Sequence, residues 1–491
     1  MYREIKKLVI LGYLLFFETV IFVFEFSYSP RNHLLFTPLL SSTAVGTLEF
    51  RSIAEPLKYK YPNLVYYRSK IYTINPYQST VTVELLSPDD ELLSSRTLSS
   101  LSPLTSPSLR TKTLAYDFLI IGTGAKVNTY NIPGVTEYTY CLKELQDARA
   151  IRKRLLTLLE TCSNPAITNA ERDKLLHIVI IGGGPTGIEV AAEIHDFISQ
   201  DIKRLYPYLN NQHGFRITII EGKEILSGFD DSLREYTMQR FTSYRQRITI
   251  QTGVHVIKIN ENFIYLNDNT KIAYGLCIWS AGIASNVEWN KIIETGEQDI
   301  DRKFYTDRWG HLIVDNYLRV LESSSIEATE KSVTPFPRMY AMGDCASVEK
   351  NPYAATAQVA EQQGYYLANI FNQAGTVTLE HERKSSTAEK NSMEVSKRTK
   401  DIEIYCNTPT ISPFQYRHRG SLAFVGSFAA ITDFTNPKTM VPLRGTKIRG
   451  FISFLLWRSA YLTKLGSWRN RMNVPFDWIR SFLFGRDTTL F

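Results

Sequence analysis

The apolar positions of the chain fall into short continuous runs that end on glycine. One of these runs passes straight into a helical pattern. In HIVIIGGGPTGIEVAAEI, His177 to Ile194, five residues read as a buried parallel strand. Gly182, Gly184 and Gly187 follow in GxGxxG spacing, and then an apolar helical run. Each glycine has a task in a dinucleotide turn. Gly182 permits the tight bend, Gly184 lets the backbone approach a pyrophosphate, and Gly187 lets the helix pack close to the strand. The N–H groups that open the helix, with its dipole, face the diphosphate. A Gly-rich turn in some other α/β sheet is the reading this motif alone leaves open.

The same pattern recurs along the chain. FRITIIEG, Phe215 to Gly222, predicts the next parallel strand, ending in Glu221. A carboxylate there accepts hydrogen bonds from the adenosine ribose and repels a 2′-phosphate, which favours NADH over NADPH. The spacing from Gly187 exceeds the usual ~20 residues, and the polar run Pro207 to Gly214 reads as an inserted loop. VHVIKI, FIYL and CIWSAG continue this unit to Ala281 and Gly282. Upstream, YDFLIIGTGA places Gly122, Gly124 and Ala125 at a strand end, where the backbone can approach a second ligand. Downstream, RMYAMGDCA ends on Gly343 and Asp344, and such an Asp can bond a sugar or ribityl hydroxyl. KKLVILG predicts a first strand ending at Gly12. In this order the runs predict an α/β chain in which one Rossmann-type nucleotide domain interrupts another.

Length and composition add limits. The 491 residues suit two or three domains. Ser87 to Thr113 and Gly375 to Lys400 read as loops. The five cysteines form no CxxC, which argues against a disulfide framework, a zinc site and a redox dithiol; no calcium loop is present either, so no metal is expected. Charge is uneven. From Gln415 to Phe491 there are twelve Lys or Arg against three Asp, more than the whole chain's formal +7. No nucleic-acid motif accompanies this basic tail. Phe451 to Tyr461 and Phe476 to Phe484 are apolar runs with interleaved Arg, too short to span a bilayer, which takes ~20 residues. They suit an amphipathic helical segment lying in an anionic membrane interface, with Trp457, Trp468 and Trp478 at headgroup depth and Arg at phosphates. A packed helical subdomain or a homodimer interface is the other reading.

Taken together, SPRNHLLFTPLL, VGTLEFRSIAEP, IIGTGA, IIGGGPTGIEVAAE, YAMGDCA, ATAQVAEQQG and the tail LLWRSAYLTKLGSWRNR resemble the type II NADH dehydrogenases, the alternative NADH:quinone oxidoreductases. The tail resembles the fungal mitochondrial branch. The resemblance implies FAD and NADH as cofactors, ubiquinone as acceptor, no proton pumping, and a peripheral place on the mitochondrial inner membrane, its face not specified. It implies an FAD-binding domain over 1–145 and 312–372 and an NADH-binding domain over 146–311. A polar insert over 373–412 and a membrane-binding, quinone-access region over 413–491 complete the chain. It places Gly12, Thr37, Pro38, Leu39, Gly122, Gly124, Ala125, Gly343 and Asp344 at the FAD. Gly182, Gly184, Gly187, Glu221, Ala281 and Gly282 fall at the NADH. Glu189 then lies near nicotinamide and flavin; the plain alternative is a solvated acid in the first helical turn, favoured by the dipole. Gln358 and Gln362, spaced i,i+4, share a helix face at the quinone end of the flavin. Glu361 stands where a fungal relative has His.

The amino terminus departs from the family. Gly12 leads into YLLFFETVIFVFEFSYSPRN, and no glycine occurs between Gly12 and Gly46. The first phosphate loop, its helix and the ribose-binding acid expected near Ser29 are not evident. Either this segment is altered or lost, or the run Leu8 to Phe26 is a signal anchor that carries Glu18 and Glu25. The first residues also lack the amphipathic Arg- and Ser-rich pattern of a mitochondrial presequence. An altered loop would weaken FAD binding, so a flavin-free, NADH-binding membrane-associated homologue without dehydrogenase activity stands as the second expectation.

Overall fold

The computed structural model describes residues 8–12, 26–62, 64–86, 111–212, 214–243, 248–294, 302–324, 333–384, 411–435 and 445–489. Two compact units emerge. The first comprises Met1–Leu34, Pro56–Lys126 and Ala284–Tyr416; the second comprises Leu35–Glu55, Val127–Ile283 and Arg417–Phe491. The first unit is thus built from segments far apart in sequence, as an interrupted domain requires.

An 11-stranded mixed sheet forms the first unit. Its centre is parallel: Val333–Ala341, Phe118–Gly122, Leu8–Gly12, Phe26–Ser29 and Val65–Asn75 lie side by side in that order. Parallel strands need a dozen or more connecting residues. Between Leu8–Gly12 and Phe26–Ser29 the chain has only residues 13–25 for this crossover. These lie outside the described residues, as does most of the run read as a possible anchor; its first five residues form the expected strand. The antiparallel hairpin Thr80–Leu85 with Thr111–Ala115 closes one side. The core includes Phe118, Leu119, Ile121, Phe336, Met339 and Phe371, with Phe371 edge-on to both Phe118 and Tyr340.

The second unit holds a five-stranded parallel sheet in the order Tyr140–Cys141, Leu276–Trp279, His177–Ile181, Arg216–Glu221 and Ile248–Thr252. The central strand is buried along its whole length, which is why its sequence shows no polar alternation. Each fully buried Ile or Val in it contributes roughly 1.5–3 kcal/mol. Pro185 opens the helix Pro185–Phe197 at a position where its missing N–H and fixed φ cost nothing. The helix runs on as a π-helical turn over Ile198–Ile202. Pro207–Gln212, read from sequence as part of a loop, is a short helix; proline at its first position starts it.

The carboxyl-terminal part adds a three-stranded antiparallel sheet, Ser421–Phe424, Ala430–Asp433 and Lys447–Gly450, and two helices, Phe451–Lys464 and Trp468–Phe484. Among the described residues no helix is long and apolar enough to cross a membrane. The expected headgroup depth of all three tryptophans does not hold. Trp468 is exposed, but Trp457 and Trp478 are buried among Phe424, Phe454 and Tyr461. Arg458 lies over the Phe454 and Trp478 rings rather than standing free for phosphates. What faces outward is an apolar strip: Phe451, Ile452 and Leu455 on the first helix, and Met472, Phe476, Ile479, Phe482 and Leu483 on the second.

Candidate functional site

In the second unit the glycine loop has the shape that a dinucleotide requires. Gly182 has φ +107°, and a Cβ there would stand 2.9–3.0 Å from the backbone of Ser280 and Ala281. A Cβ on Gly187 would lie 1.9 Å from the Gly182 carbonyl oxygen, so the helix touches the strand end directly. A Cβ on Gly184 would meet nothing within 4 Å. Gly184 is the N-cap residue of the helix and supplies no side chain to its first N–H groups. Open space in front of uncapped amides is a cradle for an anion.

The neighbouring strand ends frame this cradle. Glu221 ends the strand Arg216–Glu221, and its Oε2 accepts the Gly183 N–H at 2.7 Å while Oε1 accepts the Lys223 N–H at 2.9 Å. The carboxylate is therefore fixed beside the loop with lone pairs left for ribose hydroxyls. Ser280 Oγ donates to the carbonyls of Ile181 and Gly182, and the Trp279 indole N–H donates to the carbonyls of Asn128 and Ala281. These bonds hold Ala281 and the exposed Gly282 next to Gly182. Gly182, Gly184, Gly187, Glu221, Ala281 and Gly282, the residues expected at the NADH, are thus brought together.

Glu189 has another setting. It is the fifth residue of the helix and is buried, not a solvated first-turn acid. Burial pushes its carboxyl up to about 8, against the lowering effect of the Phe424 N–H, which donates to Oε1 at 3.1 Å. Further along the same helix, Glu193 accepts from Ser42 Oγ at 2.6 Å and Thr47 Oγ1 at 2.8 Å, with Arg486 Nη2 at 3.7 Å. Asp196 accepts the Ser427 N–H at 2.8 Å. The π-helical turn brings Asp201 onto Arg486, at 2.7 Å to Nη1 and 3.1 Å to its backbone N–H. One side of the nucleotide helix thus carries buried carboxylates, every one satisfied by distant sequence. Only the first was read from the sequence. The i,i+4 spacing of Glu189 and Glu193 was the available signal.

In the first unit, three parallel strands end side by side, with Gly12 in register with Gly122 and Ala341 with Ile121. Ligands of α/β sheets bind at such carboxyl edges. The edge carries the turn Gly122–Gly124, Ala125, and the half-buried Gly343 and Asp344. Asn286 Nδ2 donates to the Thr123 carbonyl at 2.8 Å, and Gly343 has φ +71°. These groups fit the flavin and ribityl end of FAD; residues 13–25, where a phosphate loop would stand, are outside the described residues. Gln358 and Gln362 are half-buried on the helix Ala357–Lys384, and Gln358 Oε1 accepts the Tyr416 hydroxyl at 3.3 Å. Gln363, which the sequence reading passed over, is the buried one and accepts the Gly343 N–H. Thr37, Pro38 and Leu39 form a 3₁₀ turn in the second unit, with Thr37 exposed and Leu39 buried.

Comparison with known proteins agrees with this architecture. The pyridine nucleotide-disulphide oxidoreductase family model matches residues 17–364, and the NDH2 C-terminal domain model matches residues 418–487. The internal alternative NAD(P)H-ubiquinone oxidoreductase A1 of Arabidopsis thaliana is 34% identical over 94% of this chain and 79% of its own length. The external NADH-ubiquinone oxidoreductase 2 of Saccharomyces cerevisiae is 34% identical over 94% of this chain and 77% of its own length. Among solved structures, NDH2 of Plasmodium falciparum in complex with NADH superposes with a TM-score of 0.74 at 24% identity, covering 99% of this chain and 100% of that one. The fold is that of a two-nucleotide flavoprotein reductase, and the chain belongs to the type II NADH dehydrogenase family.

Proposed function

We propose that the chain is a non-electrogenic NADH:ubiquinone reductase, a peripheral flavoprotein of the mitochondrial inner membrane. The observation that carries this reading is the open anion cradle at Gly184, with the Glu221 carboxylate anchored beside it. When bound, FAD supplies the hydride acceptor and the two-electron donor to quinone. The protein's work is to bind, orient and exclude water. The helix N–H groups at Gly184 hold the NADH diphosphate, and Glu221 holds the ribose and disfavours a 2′-phosphate. Gly12, Gly122, Gly124, Ala125, Gly343 and Asp344, all of the first unit, would hold FAD.

Burial pushes the Glu189 carboxyl up to about 8, which favours its protonated form at neutral pH. Oε1 accepts the Phe424 amide N–H at 3.1 Å. Gln358 and Gln362 offer uncharged amides suited to quinone carbonyls. The basic, aromatic carboxyl-terminal helices serve the membrane, through the apolar strip of Phe451, Ile452, Phe476, Ile479 and Phe482. The same strip would serve a homodimer, and partition onto liposomes against gel filtration tells the two apart.

The test is a visible spectrum of the purified chain followed by NADH oxidation with a short-chain ubiquinone. A flavin band near one per chain with quinone-dependent turnover is expected. Retained NADH binding without a flavin band would overturn the enzyme reading in favour of a flavin-free homologue.

A further inference from the structure

Gln362 and Gln363 are indistinguishable in sequence, but Gln362 is half-buried whereas Gln363 is buried against the strand edge read as the flavin site. It is 2% exposed, and its Oε1 accepts the Gly343 N–H at 2.7 Å. That N–H sits where the chain leaves the parallel strand Val333–Ala341 and turns through Gly343–Cys345. The turn is constrained on every side. The Met342 N–H donates to the Ile121 carbonyl at 2.9 Å, and Gly343 takes φ +71°, a conformation that favours glycine. A Cβ on Gly343 would stand 3.3 Å from the Ala360 Cβ. Ala360 and Gln363 are i,i+3 on one helix, so the helix meets the turn with one small side chain and one acceptor.

An amide is the group that this position calls for. A leucine would bury the Gly343 N–H without a partner. A carboxylate would satisfy it but add a negative charge next to Asp344. With Oε1 committed, the NH2 group is the donor that Gln363 has left to offer, and Gln363 and Gly343 line one cavity together with Ala346, Tyr353, Thr356 and Val359.

We propose that Gln363 is a positioning residue of the flavin site, holding the Gly343–Asp344 turn in the shape that receives the cofactor while keeping its surroundings free of a second negative charge. The role rests on the reading of Gly343 and Asp344 as FAD ligands. Two full-length variants test it. Gln363→Leu removes the acceptor, and Gln363→Glu keeps the acceptor and adds charge. Hydrogen exchange of the Gly343 amide reads the bond itself, with or without FAD. It should quicken in Gln363→Leu and stay as in the parent chain in Gln363→Glu. The flavin-to-protein ratio and the flavin midpoint potential read the role. Gln363→Leu should hold FAD roughly tenfold more weakly. Gln363→Glu should retain FAD with a more negative potential, because an added anion opposes reduction of the ring. Should Gln363→Leu not fold, the potential of Gln363→Glu carries the test alone. Unchanged Gly343 exchange in Gln363→Leu overturns the bond. Quickened exchange with unchanged retention, or an unshifted potential in Gln363→Glu, overturns the role. A parent chain that takes up no FAD overturns the functional reading and this role with it, and it does so before any substitution is made.

Discussion

Gly184 and Gly187 stand three residues apart in one motif, and alanine should act oppositely at the two positions. At Gly184 the backbone is at φ −70° and ψ 177°, which any residue adopts, and an added Cβ meets no protein atom within 4 Å. Gly184→Ala should therefore leave the fold intact or stabilise it by about 0.4–1 kcal/mol through the unfolded chain. The methyl occupies the space in front of the uncapped amides, so NADH binding should weaken at least about tenfold, or ~1.4 kcal/mol. At Gly187 the Cβ would lie 1.9 Å from the Gly182 oxygen and 2.9 Å from Ser280 Oγ. Neither neighbour is the end of a long flexible side chain, so the helix itself must retreat. Overpacking of this kind costs about 1–3 kcal/mol, at roughly 2–4 °C of melting temperature per kcal/mol for a domain of 150–250 residues. Calorimetric titration with NADH and chemical denaturation followed by tryptophan fluorescence separate the two effects. A Gly184→Ala protein that binds NADH like the parent chain would refute the cradle. A Gly187→Ala protein as stable as the parent would refute the close packing.

Three further outcomes are expected. Glu221→Gln should raise the NADH Michaelis constant and relax discrimination against NADPH in steady-state assays; unchanged cofactor preference would remove Glu221 from the site. The Glu189 carboxyl is raised on folding, so its contribution to stability is complete below the unfolded value near 4.5 and is lost as pH rises through about 8. Glu189→Gln should accordingly lose less stability than the parent between about pH 5 and 9 in denaturant titrations, the slope due to Glu193 remaining in both. Phe482→Asp, on the exposed strip, should reduce liposome binding without lowering the melting temperature, whereas Trp478→Ala, in the packed interior, should cost about 3–5 kcal/mol. Equal behaviour of the two in sedimentation and melting experiments would contradict the assignment of faces.

Much of the nucleotide architecture was legible because it is local. A five-residue apolar run, three glycines and a helix are contiguous, and the physics that joins them acts within about twenty residues. The strands ending at Gly122, Glu221 and Ala341 were legible for the same reason. What escaped was settled by distant partners. Glu189 reads as an acid in an early helical turn, but it is buried, and the amide that bonds it belongs to Phe424, 235 positions away. Trp457 and Trp478 carry the signature of an interfacial belt, but each has a ring neighbour that removes it from the surface. Pro207–Gln212 has loop composition and folds as a helix because proline is harmless at a first position. Gln363 was hidden beside a twin residue, since one step of 100° around a helix decides which amide meets Gly343.

The buried carboxylates of the nucleotide helix bear on how the protein is made. Asp196 waits for Ser427, and Asp201 waits for Arg486, which lies 285 residues further along. At about 5–20 residues per second, the ribosome adds Arg486 roughly a quarter-minute to a minute after Asp201. Through that interval the helix cannot bury its acidic side without stranding charge, so the NADH-binding unit completes its fold only after Arg486 has been added. A message cut short before Arg486 would then yield an exposed, charge-bearing helix that cellular proteases can reach, and not a soluble NADH-binding fragment.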